Sequence, residues 1–536
     1  MTDVAPVEAP TEDPTATTPE DSPPPRPRRR VPAFFDWPLV ALLLVAIVAV
    51  GAVVRLLNFN AIGYNSDEAV YAGQGASIAH DVTLAPFFPV FRAHPLLFQS
   101  VVSLGYQMGW GDWWGRFASV LFGLATIVLI FELGRLLYGT RAGLVAAGIL
   151  ALMPYHVVVT RQVLLDGPQT FFVTLTLYLL ARYADSKRVY WLYAAGSAMG
   201  LAVLAKEPSV LFCGGIYAFF ALAPAVRIKI RHFLGAGLVM AITIIPFPLA
   251  IAFSGKPKSG GNFLAWQLFR RPNHSLLFYP TAVPVAIGLA VVAAAVVALI
   301  IVRRRRLWSW RETLLVCWIV VPAAFFELWP IKGFQYLLPV APAVAILAAR
   351  LFTLDLRAPR RLAHRANLFS AGRGVALCVL LATLALPAVA ITTTSTRQTF
   401  LAGSGGVPGG REMGAWIRLN VPEGSSLLAI GPSMANLVSF YGHRKAYGLS
   451  VSSNPLRRNP SYEPVGNAND RIRQSDLQYV VWDAYSAART RFFARQIMGY
   501  VNTFHGRVIY TYTVPVQRGG RSVDVPVIRI YQVRPK

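Results

Sequence analysis

Pro38-Leu-Val-Ala-Leu-Leu-Leu-Val-Ala-Ile-Val-Ala-Val-Gly-Ala-Val-Val-Arg-Leu-Leu57 is an apolar segment of 20 residues that contains one charged side chain. A helix of about 20 apolar residues crosses the hydrocarbon core of a bilayer, which is about 30 Å thick. Similar runs recur further along the chain, and together they give candidate spans at 38–57, 116–137, 142–160, 167–184, 189–205, 208–226, 233–253, 281–302, 312–329, 335–352 and 374–391. The sequence therefore predicts a mostly α-helical, polytopic membrane protein with about eleven spans.

The composition of the 536 residues supports this prediction and excludes other classes. Hydrophobic residues make up 55% and charged residues only 14%, whereas about 25% of a soluble domain is charged. The net charge of +26 would suit nucleic acid, but the Lys and Arg residues are distributed unequally between the two predicted sides of the membrane. With the N-terminus inside, the cytoplasmic segments hold 23 Lys and Arg residues and the outer segments before residue 395 hold ten. The positive-inside rule then predicts a cytoplasmic N-terminus, and no nucleic-acid partner is expected.

Three parts of the chain are predicted. Residues 1–35, rich in Pro, Thr and acidic side chains, are expected to be a disordered cytoplasmic tail. Residues 36–394 are expected to form a transmembrane domain. Residues 395–536 alternate strand-like runs (426–430, 478–482, 507–514 and 525–533) with helical stretches near 433–441 and 486–499, which predicts a soluble α/β domain. Because the number of spans is odd, this domain is expected outside the cytoplasm.

The first outer segment, residues 58–115, contains two stretches with helical periodicity, about 67–80 and 95–108. Both are too short to span and are predicted to lie as helices in the membrane interface. Asp67 and Glu68 begin the first of them. A carboxylate there can deprotonate an acceptor hydroxyl. The alternative is helix capping, with Asp67 as the N-cap and Glu68 near the positive helix end.

Other polar residues are predicted to reach the same outer face. They are Arg92 and His94, Arg161 and Asp166, Lys206 and Glu207, and Lys332 and Tyr336. Each has a structural alternative: Arg161 can pair with Asp166, Lys206 can reach the interface with Glu207 as its partner, and Tyr336 can belong to an aromatic belt. Because all of them map to one side, we predict a polar cavity at membrane level on the outer face.

Four ordered motifs resemble the GT-C class of membrane glycosyltransferases. They are Ser66-Asp67-Glu68-Ala69-x-Tyr71-Ala72, His94-Pro95-Leu96-Leu97, Arg161-x4-Asp166-x-Pro168 and Tyr336-Leu-Leu-Pro339-x2-Pro342. Within the class they are similar to the family-39-like group, which includes protein O-mannosyltransferases and the lipid A aminoarabinose transferase. The resemblance covers roughly residues 50 to 350.

The resemblance implies a GT-C fold and an inverting transfer of a sugar from a polyprenyl-phosphate donor. The acceptor would be a protein, a lipid or a cell-wall glycan on the extracytoplasmic face of the plasma (inner) membrane. Asp67 matches the family's acidic residue expected to act as the base, with Glu68 in support, and Asp166 matches the acid of the second loop. The resemblance places the donor phosphate near six residues: Lys206, Arg161, Arg92, His94, Lys332 and Tyr336. The motifs contain no Asp-x-Asp, so the sequence requires no cofactor, and a divalent metal stays open as an alternative.

Two other functions are alternatives to glycosyl transfer. A transporter or flippase of lipid-linked sugar would also need a polar cavity, but it predicts ionisable groups near the bilayer midplane. Here the charged residues cluster at the ends of the spans. A scaffold whose C-terminal domain binds glycans would need one anchoring span. For the C-terminal domain itself we expect acceptor binding, closure over the active site, or a role in stability alone.

Overall fold

The computed structural model describes residues 36–254, 266, 272–354, 363–393 and 407–534. The predicted tail, residues 1–35, lies outside the described residues. The chain divides into two compact units, Met1–Leu42 and Leu43–Lys536. In the first unit the described residues begin helix α1.

Helices dominate the region up to residue 393. In chain order they are α1 (Asp36–Leu56), α2 (Ser66–Ile78), α3 (Leu97–Gln107), α4 (Trp113–Tyr138), α5 (Thr140–Leu152), α6 (Pro154–Val159), α7 (Asp166–Ser186), α8 (Val189–Ala205), a 3-10 helix (Glu207–Leu211), α9 (Phe212–Leu222), α10 (Ile230–Ile244), α11 (Pro246–Phe253), α12 (Phe278–Ile287), α13 (Leu289–Arg304), α14 (Trp310–Leu328), a second 3-10 helix (Phe334–Val340), α15 (Ala341–Thr353) and α16 (Ala363–Thr393). Each of the eleven predicted spans coincides with one of these helices or with two consecutive ones.

Among the described residues, five helical segments are long and apolar enough to cross a membrane. They are Trp37–Leu56, Trp113–Tyr138, Ile230–Phe253, Phe334–Thr353 and Gly372–Thr392. The pair α12 and α13, bent by 96° at Gly288, would make a sixth. Other predicted spans are divided: α5 ends before Pro154, which starts α6. The apolar runs were therefore identified correctly as helices, but several are shorter than an uninterrupted span.

The two short helices predicted within residues 58–115 are confirmed as α2 and α3. The N-cap of α2 is Asn65, whose side chain accepts the backbone N–H groups of Asp67 (2.9 Å) and Glu68 (3.0 Å). Glu68 returns the bond by accepting the Asn65 N–H at 3.0 Å, which completes a capping box. The alternative in which Asp67 caps the helix is wrong, because Asn65 does so and leaves the Asp67 carboxylate free for another role.

The C-terminal part is an α/β domain, as predicted. Its five-stranded sheet has the order β2-β1-β3-β5-β4, with β1 parallel to β2 and β3, and β5 antiparallel to β3 and β4. The strands are β1 (Ser426–Ala429), β2 (Lys445–Gly448), β3 (Tyr479–Asp483), β4 (Arg507–Arg518) and β5 (Arg521–Gln532), and the helices are α17 (Gly410–Asn420), α18 (Pro432–Gly442), α19 (Ala468–Arg473), α20 (Ala484–Arg489) and α21 (Arg491–Thr503). The sequence analysis did not predict β2, a four-residue strand.

One face of this sheet shares a hydrophobic core with the segment 58–115. Leu427 and Val481 of the sheet belong to the same buried cluster as Tyr64 and Phe88. Alternate strand residues point to opposite faces, and the other face forms a separate cluster that includes Leu428. The C-terminal domain is thus packed directly on the loop that carries the candidate carboxylates.

Polar contacts fix the same junction. The Asn436 side-chain amide of α18 donates to Ser66 Oγ at 3.0 Å. The Tyr64 backbone N–H donates to the Tyr441 hydroxyl at 2.8 Å. Arg411 donates to the Asn60 side-chain oxygen at 2.9 Å. These bonds hold the first turn of α2 in a fixed position relative to the C-terminal domain.

Candidate active site

A cavity of about 540 Å³, here called the central cavity, lies where the membrane helices, α2 and the C-terminal domain meet. Its walls come from α2, residues 92–94, Lys206, Tyr336 and the loop that follows β2. The sequence analysis predicted a polar cavity of this kind. Of the candidate site residues, Asp67, Arg92, His94, Lys206 and Tyr336 line it.

Asp67 is exposed to the central cavity from the first turn of α2. The cavity is partly open, and the Asp67 carboxylate faces it among α2, the membrane helices and the C-terminal domain. Burial raises the pKa of Asp67 above its ordinary value, and the positive charges of Lys206 and His94 partly offset that effect. A carboxylate with a raised pKa is a stronger base than an ordinary aspartate and suits proton abstraction.

Lys206 and Asp166 form a buried ion pair beside Asp67. The distance from Lys206 Nζ to Asp166 Oδ1 is 2.7 Å, and the two residues are 5% and 1% exposed. The ammonium also lies 4.8 Å from the centre of the Tyr336 ring. Asp166 is therefore the partner of Lys206, in place of Glu207, and it holds the ammonium at the cavity wall.

His94 and Arg92 line the cavity from the segment before α3. His94 Nδ1 lies 2.8 Å from Glu207 Oε2, so Glu207 pairs with the histidine. Arg92 is 9% exposed and donates from Nη2 to the carbonyl of Ser461 at 3.1 Å. Its guanidinium lies 5.1 Å from the centre of the Tyr462 ring, and burial lowers the pKa of Arg92. Both side chains are thus within reach of a ligand in the cavity.

Glu68 lies outside the cavity, although it is adjacent to Asp67 in sequence. It is fully buried and forms two bonds with Arg116, at 2.7 Å to Nε and 2.8 Å to Nη2. Its Oε1 also accepts the backbone N–H of Val163 at 3.1 Å. Since the capping box uses the carboxylate as well, Glu68 connects α2 to α4 and to the loop between α6 and α7. The sequence analysis did not single out Arg116, which stands at the start of a predicted span.

Arg161 and Lys332 also lie outside the central cavity. Arg161 donates from Nη2 to the backbone carbonyl of Leu57 at 2.6 Å and does not pair with Asp166. The ammonium of Lys332 donates to the backbone carbonyl of Glu327 and lies 3.4 Å from that residue's Oε2. Both cations are already bound by neighbouring groups of the chain, and therefore neither joins the cluster at Lys206.

Several lining residues were missed by the sequence analysis. From α2 comes Gln74, whose amide donates to the carbonyl of Val90 at 2.8 Å. From the loop after β2 come Arg457, Arg458 and Tyr462. The adjacent arginines are a visible charge pair in the sequence, but nothing there places them at the membrane site.

A metal site is not evident in the described parts of the chain. They contain no group of three or more His, Cys, Asp and Glu side chains arranged to hold a metal ion. Around Asp67, the side chains of Lys206, His94 and Arg92 line the same cavity.

Comparison with known proteins gives matches over different parts of the chain. A family model described as dolichyl-phosphate-mannose-protein mannosyltransferase matches residues 93–250. An uncharacterized protein of Aquifex aeolicus (strain VF5) is 30% identical over 204 residues, and the match covers 35% of this chain and 40% of that protein. The chain thus spans less than half the length of this relative.

Solved structures match nearly the whole chain. ArnT from Cupriavidus metallidurans in the apo state has a TM-score of 0.65 at 16% identity, covering 92% of this chain and 98% of that one. The same protein bound to undecaprenyl phosphate gives 0.62 at 16% identity, covering 93% and 98%. The archaeal oligosaccharyltransferase AglB from Archaeoglobus fulgidus, in complex with an inhibitory peptide and a dolichol-phosphate, gives 0.56 at 13% identity, covering 92% and 75%.

At these identities the likeness to solved structures establishes the fold. The predicted GT-C fold is confirmed, with a helical membrane part and a small C-terminal sheet. The resemblance to dolichyl-phosphate-mannose-protein mannosyltransferases is supported over residues 93–250, where that family model matches.

Proposed function

We propose that this integral-membrane GT-C protein transfers a sugar from a polyprenyl-phosphate donor to an acceptor hydroxyl, with inversion and with Asp67 as the base. One observation carries the proposal: a free carboxylate, Asp67, and the paired cation Lys206 face one cavity between the membrane helices and the C-terminal domain. The similarity in fold to a protein crystallised with undecaprenyl phosphate supports a lipid-linked donor.

The proposed reaction is a single displacement at the anomeric carbon. Asp67 accepts the proton of the acceptor hydroxyl, and the hydroxyl oxygen forms the new bond to the anomeric carbon. The bond from that carbon to the phosphate oxygen breaks, and its electron pair goes to the polyprenyl phosphate. Attack opposite the leaving group inverts the configuration. A base whose pKa is raised toward the working pH makes the proton transfer more favourable.

Lys206 is proposed to stabilise the departing phosphate, with Tyr336 beside it. Negative charge grows on the phosphate as the glycosidic bond breaks, and a fixed cation lowers that barrier. The ion pair with Asp166 keeps Lys206 protonated and in place, so the proposed role of Asp166 is to position the cation. We assign no donor contact to Arg161 or Lys332, because local groups already bind both.

His94 belongs to the same proposal in a secondary position. Its ring is held against Glu207 and lines the cavity close to Lys206. The pair is proposed to orient the donor rather than to take the acceptor proton. The site is proposed to face the extracytoplasmic side of the plasma membrane, in agreement with the distribution of Lys and Arg along the sequence.

The test uses purified full-length protein in nanodiscs with a panel of radiolabelled polyprenyl-phosphate sugars and crude membranes as the source of acceptors. We expect one donor to be consumed and its label to appear in a product. Asp67→Asn should abolish transfer, whereas Asp524→Asn, the same change at an exposed position of β5, should leave it intact.

Two outcomes would contradict the proposal. Transfer at the wild-type rate by Asp67→Asn would remove Asp67 from the base role. Movement of lipid-linked sugar across a reconstituted bilayer, without consumption of any donor, would favour a transporter.

A further inference from the structure

The cations of the central cavity differ in how they are neutralised. Two of them have built-in carboxylate partners: Lys206 pairs with Asp166, and His94 pairs with Glu207. The three arginines toward the C-terminal domain are different. Within the described ranges, no carboxylate forms an ion pair with any of them; they are Arg92, Arg457 and Arg458.

Arg92 is the most informative of the three because it is buried. A guanidinium has five N–H donors, and the side-chain hydrogen bond of Arg92 within the described chain uses one of them, to the Ser461 carbonyl. The ring of Tyr462 covers part of the cation. The charge of Asp67 acts on Arg92 across the cavity, but no carboxylate of the described residues forms an ion pair with it. A buried charge is stabilised when a partner binds it directly. The open side of Arg92 therefore suits an anionic group that enters the cavity.

Arg457 and Arg458 reach the same cavity from the loop after β2. The loop has its own internal bonds: Arg458 Nη1 donates to the Ser453 carbonyl at 3.3 Å, and Asn459 Oδ1 accepts the Ser461 N–H at 2.9 Å. Because Ser461 also binds Arg92, one short segment connects the three arginines. The C-terminal domain thus supplies two cations to a cavity that also contains Asp67.

A second cavity of about 390 Å³ adjoins the central one. The two share five lining residues: Arg92, Pro432, Val451, Ser461 and Tyr462. Its other walls come from residues 86–89 and the C-terminal domain, with Asn436, Ser439 and Tyr447 among them. Its volume lies within the range of about 300–1,000 Å³ typical of sites for small molecules. Aromatic rings beside short hydrogen-bonding side chains suit a compact polar ring better than an extended peptide.

We propose that the acceptor is an anionic saccharide, whose phosphate or carboxylate binds Arg92, Arg457 and Arg458 while its sugar rings occupy the second cavity. This inference rests on the proposed function, because it names the substrate that receives the sugar. The membrane end of the central cavity, at Lys206 and Tyr336, is left for the donor phosphate. The acceptor then approaches Asp67 from the side of the C-terminal domain.

The test measures binding, so it does not depend on turnover. Three neutral disaccharides and their phosphate monoesters are titrated into the full-length protein in phosphatidylcholine nanodiscs by calorimetry. In at least one pair we expect the phosphate form to bind about tenfold more tightly, which corresponds to about 1.4 kcal/mol. The double variant Arg457→Gln/Arg458→Gln should reduce this preference to less than about threefold. The preference should also weaken as salt is added, because salt screens exposed charges.

A matched control removes the same charge elsewhere in the domain. Arg473 and Arg495 are exposed and line neither cavity, so Arg473→Gln/Arg495→Gln should keep the preference. Asp67→Asn should also keep it while transfer is lost. If Asp67→Asn transfers normally, the proposed function fails, whereas the binding result still reports on the arginines.

Four outcomes would overturn the inference. The first is equal affinity for the charged and neutral members of all three pairs. The second is an equal loss of preference in the control double variant. The third is tighter binding of a phosphoserine peptide than of any disaccharide phosphate, which would indicate a protein acceptor. The fourth is weakened binding of undecaprenyl phosphate in the arginine variant with unchanged binding of the disaccharide phosphates, which would assign the arginines to the donor.

Discussion

Glu68→Gln should destabilise the protein, although the neighbouring Asp67→Asn should not. Glu68 is fully buried and its carboxylate receives four hydrogen bonds, two from Arg116 and one each from the backbone N–H groups of Asn65 and Val163. Glutamine has the same shape but no charge, and its amide nitrogen is a donor where an acceptor is needed. Asp67 has no such set of bonds to lose.

The size of the effect follows from what remains around Arg116. Breaking a buried ion pair by removing one partner costs about 3–5 kcal/mol. Arg116 keeps hydrogen bonds to the carbonyls of Phe59 and Ile62, at 2.8 and 2.7 Å, so we expect the lower end of this range. A loss of about 3 kcal/mol increases the ratio of unfolded to folded protein about a hundredfold.

The assay is equilibrium unfolding of purified protein in mixed micelles, followed by tryptophan fluorescence. We expect Glu68→Gln to unfold at a lower denaturant concentration than the wild type. Asp67→Asn should unfold at the same concentration as the wild type. Glu68→Gln/Arg116→Met should recover part of the loss, because it removes the uncompensated charge. The reasoning is refuted if Glu68→Gln unfolds like the wild type but abolishes transfer, since its carboxylate would then act in the chemistry.

Three further predictions concern the site and its supports. The value of kcat/KM should fall as the pH falls through the raised pKa of Asp67. Arg92→Gln should move this acidic limb to higher pH, because it removes a positive charge that lowers the pKa of Asp67. A limb that moves to lower pH would contradict the assignment. Lys206→Gln should reduce kcat about 10²-fold or more in single-turnover transfer, as expected for the loss of a group that stabilises developing negative charge, and an unchanged kcat would exclude that role. Gly73→Ala would place a Cβ 2.3 Å from Phe88 Cγ, so overpacking should lower the free energy of unfolding by about 1–3 kcal/mol. Phe88→Leu in the same chain should restore part of this stability. Equal stability of Gly73→Ala and the wild type would refute the close packing.

The identification of elements from sequence was most successful where periodicity is strong. The apolar runs, the interfacial helices α2 and α3, and four of the five strands were predicted near their observed positions. The short strand β2 was missed, because four residues carry too little pattern to separate them from a loop. The count of uninterrupted spans was less successful, since local breaks such as the one before Pro154 divide an apolar run without changing its composition.

The partners of the charged residues were less predictable than their positions. Sequence proximity suggested Lys206 with Glu207 and Arg161 with Asp166. The observed pair is Lys206 with Asp166, 40 residues apart, at 2.7 Å. Ion pairs depend on which side chains the packing of helices brings together, and neighbours in sequence on a turn often point in different directions.

The sequence by itself determined that this is a helical membrane protein whose ionisable groups lie mainly at the ends of its spans, because burial in lipid requires long apolar runs and expels charge. It also assigned Asp67 and Lys206 to the same side of the membrane, from the predicted order of the spans. Only the tertiary structure distinguished Asp67 from Glu68, because adjacent residues on a helix differ by about 100° in direction and one faces a cavity while the other faces Arg116. Only the tertiary structure brought Arg457 and Arg458 of the C-terminal domain to that cavity, since the shared core that holds the two parts together is made of residues hundreds of positions apart.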